Sequence, residues 1–122
     1  MKGVRMIAYK VFTARSGGPE FLFHRLRGSR IVTLDEWLDA EVKWAKEGSS
    51  PYYYTAFHVY KDIETIRRWV HSVRIFKDRF VTKVEVENVR PKPTNGKAVL
   101  AKRMRLTSAG WDNRTKLTEY VD

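Results

Sequence analysis

Apolar and polar positions alternate with a period of two near the start of the chain, where Ile7, Tyr9 and Val11 interleave with Ala8, Lys10 and Phe12. That period, in a β-branched and aromatic run, predicts a first strand from Arg5 to Thr13. Ser16-Gly17-Gly18-Pro19 breaks it, and Phe21-Leu22-Phe23 reads as a second strand returning by a hairpin. A basic loop, His24 to Arg30, follows. The period then changes to that of a helix. Thr33-Leu34-Asp35-Glu36 matches a capping box, in which Thr33 and Glu36 satisfy each other's backbone N–H groups. Leu34, Trp37, Leu38, Val42 and Ala45 fall on one face, with Gly48 and Pro51 beyond the end, so a helix is expected from Thr33 to Glu47.

Alternation returns from Thr55 to Tyr60, with Phe57 and Val59 on one side and Tyr54, Ala56, His58 and Tyr60 on the other. Asp62 is a natural N-cap for a second helix with Ile63, Ile66, Val70 and Val73 on its apolar face. Phe80, Thr82, Val84 and Val86 alternate with Val81, Lys83, Glu85 and Glu87 in a long strand. Pro91, Pro93 and Asn95-Gly96 supply a turn, and Lys97 to Leu106 a last strand. Residues 110–122 read as a tail able to dock through Trp111, Leu117 and Tyr120. The expected architecture is a single α+β domain over residues 1–122: an antiparallel or mixed sheet of four to five strands packed by two helices.

Composition fits one core: 122 residues, 43% apolar and 13% aromatic. The absence of cysteine removes disulfides, thiolate nucleophiles and cysteine-based zinc sites, and no apolar run suggests a signal peptide or membrane span, so a cytoplasmic protein is expected. Charge changes the picture most. Twenty-four Lys and Arg face 14 Asp and Glu, a net +10. The excess is +6 over residues 1–32, +3 over 51–79 and +4 over 80–122, interrupted by −3 over residues 33–50. An uneven field of this kind orients a molecule towards an anionic partner such as nucleic acid or a nucleotide.

Candidate phosphate-binding residues are Arg25, Arg27 and Arg30 in the loop, Arg67, Arg68 and Arg74 on the second helix, and Arg103 and Arg105 on the last strand. The planar guanidinium pairs bidentately with phosphate oxygens. Arg103 and Arg105 share a strand face, and an equally good reading pairs them across the sheet with Glu85 and Glu87. Tyr54, His58, Tyr60 and His24 are the candidate stacking or polar groups beside a basic groove, although strand tyrosines also serve as half-buried packing. The three histidines lack metal-ligand spacing, and no nucleophile elbow, phosphate loop or paired acidic motif accompanies them; no cofactor is expected, and His58 as a general base is the one catalytic option.

The blocks Ala8-Tyr9-Lys10-Val11-Phe12, Leu22-Phe23, Glu36-Trp37-Leu38-Asp39-Ala40-Glu41, Phe57-His58-Val59, Val84-Glu85-Val86 and Leu100-Ala101-Lys102-Arg103-Met104-Arg105 resemble, in this order, small bacteriophage accessory proteins of unassigned function. The resemblance spans residues 8–105. It implies a non-structural role in the host cytoplasm, binding a nucleic acid, a signalling nucleotide or a host defence protein, and it supplies no catalytic residues. Phe57-His58-Val59-Tyr60-Lys61-Asp62 also resembles a segment of ADP-ribosyltransferase-like folds, without the matching trio of an early His or Arg, a central Ser or Tyr and a late Glu. The expected function is therefore a small, basic, non-enzymatic protein that binds a phosphate-bearing ligand. The alternatives are an inhibitor of a host nucleic-acid-processing or defence protein, and a nucleotide-using transferase built on His58, Tyr54 and Glu85 or Glu87.

Overall fold

Among the described residues of the computed structural model strand outweighs helix by more than two to one, 53% against 21%, and this overturns the expectation of an α+β layer packed by two helices. The structure describes residues 5–14, 18–21, 31–40, 44–45, 53–54, 56–70, 79–91 and 98–120. Strand β1 (Met6–Thr13) returns as β2 (Glu20–Phe21), pairing Phe12 with Phe21 and Thr13 with Glu20. Next come β3 (Leu38–Asp39), β4 (Trp44–Ala45), β5 (Tyr53–Tyr54) and β6 (Phe57–Val59). Helix α1 (Ile63–Val70) separates these from β7 (Arg79–Pro91) and β8 (Val99–Arg105). The short helix α2 (Ser108–Asp112), β9 (Thr115–Lys116) and a 3-10 turn (Leu117–Tyr120) complete the described chain.

β7 is the spine of the sheet. One edge pairs antiparallel with all of β1, from Met6 against Val86 to Thr13 against Arg79; the other pairs with β8 and, further along, with β9. The far edge of β8 is shared, β6 taking Val99–Ala101 and β3 taking Arg103 and Met104. The sheet curls into a half-barrel, and its open side is spanned where Tyr60, the residue after β6, exchanges two backbone hydrogen bonds of 2.8 Å with Tyr9 of β1. Asn88, at φ 55°, falls where the inward-facing positions of β7 shift from Val84 and Val86 to Val89. The inward positions of β8 shift alongside, from Met104 to Ala101. Asn accepts this left-handed conformation more readily than most residues, and the paired shifts let two long strands follow the curl.

Inside the curl lies the main core, in which Phe12, Phe21, Phe57, Val59, Val84, Val86, Met104 and Leu106 are essentially inaccessible. Phe21 and Phe57 stack with centroids 5.5 Å apart, joining β2 to β6, and Trp111 of α2 meets Phe12 edge-on at 6.5 Å. A second cluster sits on the outer face. There Val11 and Val81 are covered by Ile66 of α1 and Leu117 of the 3-10 turn, with Tyr9, Tyr60, Ile63 and Tyr120 around them.

The helix expected from Thr33 to Glu47 is absent: residues 34–36 form a turn, and β3 and β4 occupy part of the rest. Asp35 adopts φ 62°, which a right-handed helix excludes. Its N–H donates to the Leu106 carbonyl at 2.9 Å, and its carboxylate accepts from the Ser108 N–H at 2.9 Å and from the Ser108 hydroxyl. The capping chemistry read at Thr33–Glu36 is thus used by a neighbour, Asp35, on a distant helix start. Those two Ser108 hydrogen bonds, the side-chain one first, hold the Asp35 carboxyl below its ordinary range. Pairing of Leu38 with Met104, and of the Ala40 N–H with the Lys102 carbonyl at 2.8 Å, fills the open edge of β8 and outweighs local helix propensity.

Helix α1 begins where its cap predicts. The Asp62 carboxylate accepts from the Thr65 N–H at 2.8 Å and from its hydroxyl at 2.9 Å, and these bonds keep its pKa below the usual carboxylate value. A folded pKa below the unfolded one gives a contribution that is complete above the ordinary carboxylate range, about pH 4, and lost as pH falls through the folded value. Asp62→Asn keeps the acceptor but does not titrate. Thermal melts between pH 2 and 5 are expected to show a steeper acid loss for the parent chain than for this variant.

Candidate functional site

The outer face of the sheet gathers most of the described chemistry. Strand alternation puts Ile7, Tyr9 and Val11 of β1 beside Glu85, Lys83 and Val81 of β7, and Glu85 and Glu87 beside Arg105 and Arg103 of β8. At one end, the guanidinium groups of Arg5, Arg103 and Arg105 lie 5.1, 5.1 and 5.0 Å from the centre of the Trp37 ring. Three cations around one indole repel each other, and carboxylates compensate. Arg105 holds Glu85 through both oxygens at 2.8 and 3.0 Å, which raises the arginine's own pKa. Arg103 bridges Asp39 at 3.1 Å and Glu87 at 3.3 Å, and Arg5 approaches Glu87 at 3.6 Å. The Glu87 side chain is only 8% exposed, so it is the least hydrated charge of the network.

Next to this network a groove of about 650 Å³ opens over β1 and β7. Its floor is Ile7, Tyr9, Val81 and Lys83. Ile63 and Tyr120 form one bank, and Thr107, Ala109, Gly110 and Asn113 the other. Gly110 comes so close to the strand that a Cβ would lie 3.0 Å from the Lys83 carbonyl oxygen, which keeps that bank low. Lys83 is exposed and has no carboxylate within ion-pair distance among the described residues, whereas Glu85, at the end of the floor, is held by Arg105. Arg67 of α1 overhangs the first bank, 5.8 Å from the Tyr120 ring centre and 3.3 Å from Glu64.

Of the predicted phosphate-binding residues, Arg67 and Arg68 are exposed on α1, and Arg103 and Arg105 lie in the Trp37 network. The outer face thus carries Arg67 on one side of the groove and Arg105 on the other, while Arg103 and Arg105 have the cross-strand glutamates as partners. Arg25, Arg27, Arg30, Arg74 and His24 lie outside the described residues. Tyr54 is in β5, paired with Trp44. His58 is half-buried in β6, and its carbonyl accepts from the Lys10 ammonium at 2.7 Å. Tyr60 packs against the outer cluster, and burial pushes its hydroxyl up to about 12. Trp37, Arg5, Tyr9, Lys83 and Tyr120 are not among the candidate site residues that the sequence suggests. The Tyr9–Lys83 neighbourhood follows from strand pairing, which single-chain periodicity does not reveal; Trp37 was hidden by its apparent place on a helix face.

Among the described residues no group of three or more His, Asp or Glu side chains is placed to hold a metal ion, and no helix is long and apolar enough to cross a membrane. Comparison with protein-family models, with curated proteins and with solved structures found no match.

Proposed function

We propose that this is a non-enzymatic binding protein that holds a phosphate-bearing ligand, nucleic acid or nucleotide, against the outer face of its sheet, drawn there by the net positive charge of the chain. The observation that carries the reading is the distribution of charge. The described framework is nearly balanced, with 13 basic residues and ten acidic ones, and much of its charge is spent in internal pairs. Eleven further basic residues against four acidic ones stand in the remaining segments, Arg25, Arg27, Arg30 and Arg74 among them. An excess that internal pairing does not consume is available to phosphates. In this reading Arg67, Arg68 and Lys83 make the contacts from the described residues. Arg103 and Arg105, committed to carboxylates, shape the face. The resemblance of the sequence blocks to phage accessory proteins makes the host cytoplasm the proposed setting.

The test is fluorescence anisotropy with a labelled oligonucleotide over a range of salt concentrations. Displacement of counterions by three or four contacts predicts a slope of about −2 to −3 in log affinity against log salt for a single strand. Undetectable binding at 20 mM salt removes the polymer reading. A thermal shift with mononucleotides then decides whether a small phosphorylated ligand takes its place.

A further inference from the structure

Resting on that reading, we propose that the groove over β1 and β7 seats one nucleotide of a single strand, its base against Tyr120 and the Ile7–Tyr9 floor and its phosphate at Lys83. Three features point to this occupant. First, the groove combines two half-buried tyrosines with Ile7, 53% exposed, an apolar and aromatic surface left open in the fold. Base stacking on such a surface is sequence-tolerant, since every base has a π face. Second, among the described residues Lys83 is a cation on the floor without an acidic partner. Glu85 is neutralised by Arg105 at 2.8 Å, and Glu64 is engaged by Arg67 on the upper bank. Third, the groove is partly open to solvent between banks that carry Tyr120 of the 3-10 turn and Ala109 and Gly110 of α2, so a nucleotide seated there can remain joined to its neighbours in a strand. A duplex presents no unstacked base to it.

The experiment uses the full chain with an eight-residue labelled oligothymidylate, thymidine monophosphate as competitor, and a duplex of the same length. Lys83→Ala alters an exposed side chain and is expected to weaken binding several-fold and to reduce the salt slope by about 0.7, the value of one phosphate contact on a single strand. Tyr120→Leu keeps apolar bulk over Leu117 but removes the aromatic face, and is expected to weaken binding about tenfold with the salt slope unchanged. Circular dichroism melts confirm that both variants are folded. A bromouracil-substituted strand is expected to crosslink to Tyr9 or Tyr120. Strong binding by the parent that neither variant alters, or crosslinks confined to other segments, overturns the groove while leaving the phosphate-binding reading standing. Competition by thymidine monophosphate equal to that of the strand, or equal affinity for the duplex, overturns the single-strand assignment. If the parent chain binds no strand at all, the groove assignment and the nucleic-acid form of the proposed function fall together, and the mononucleotide thermal shift alone decides the small-ligand form.

Discussion

Phe57→Ala is expected to lower the stability of the fold by about 3–5 kcal/mol, the loss seen when a large aromatic side chain is removed from a closed core. Phe57 is inaccessible to solvent, and it stacks on Phe21 at 5.5 Å, so its ring fastens β2 to β6 across the inside of the curl. β6 has only three residues. Hydrogen bonds alone do not hold so short a strand, so the side-chain stack carries a larger share of its attachment than it would in a long ladder. Denaturant unfolding of parent and variant measures the change, and a loss below about 1 kcal/mol would show that the site refills by collapse. Phe57→Leu, which restores much of the volume, is expected to recover roughly half of the loss.

Glu87→Ala is the second large effect, about 1–3 kcal/mol, the range for a buried carboxylate after allowance for the solvent exposure of its arginine partners. With Glu87 gone, Arg103 keeps Asp39, but Arg5 loses its described carboxylate while still facing the Trp37 ring beside two other cations. The prediction has a salt signature. Added salt screens the exposed guanidinium groups, so the penalty should shrink between 50 mM and 1 M sodium chloride, whereas that of Phe57→Ala should not. A double-mutant cycle with Arg103→Ala isolates the pair, and a coupling indistinguishable from zero would assign Glu87 a packing role only.

The strands were legible because their signal is local. The two-residue period of residues 7–12 and 80–87 recurs in β1 and β7, and the Asp62 cap recurs at the start of α1. The segment 33–47 was misread because its apolar spacing serves two purposes. Leu34 and Leu38 pack on the inner core while Trp37 covers arginines, a division that a helical wheel represents as one stripe. What decides it is the open edge of β8, more than sixty residues away. The arginines of β8 were correctly placed on one face, yet whether their forks meet phosphate or glutamate depended on the register between β7 and β8. That register pairs Glu85 with Arg105 and Glu87 with Arg103. The groove was invisible for the same reason: Tyr9 and Lys83 become neighbours only through a pairing across more than seventy positions.

The single two-bond bridge between Tyr9 and Tyr60 has a bearing on the order in which the chain can fold during its synthesis. β1 emerges from the ribosome early, but its long partner β7 begins at Arg79, and the strand that carries β6 round to Tyr9 is β8, beginning at Val99. Until β7 has been made, β1 therefore lacks its long partner, and among the described residues that precede β6 only β2 pairs with it. Contacts this distant in sequence are slow to form, on the order of milliseconds to seconds for sheet-dominated domains. The apolar face of β1 is then an aggregation hazard on a nascent chain, and Lys10, placed among its apolar neighbours, supplies the charge that opposes self-association until the curl closes over it.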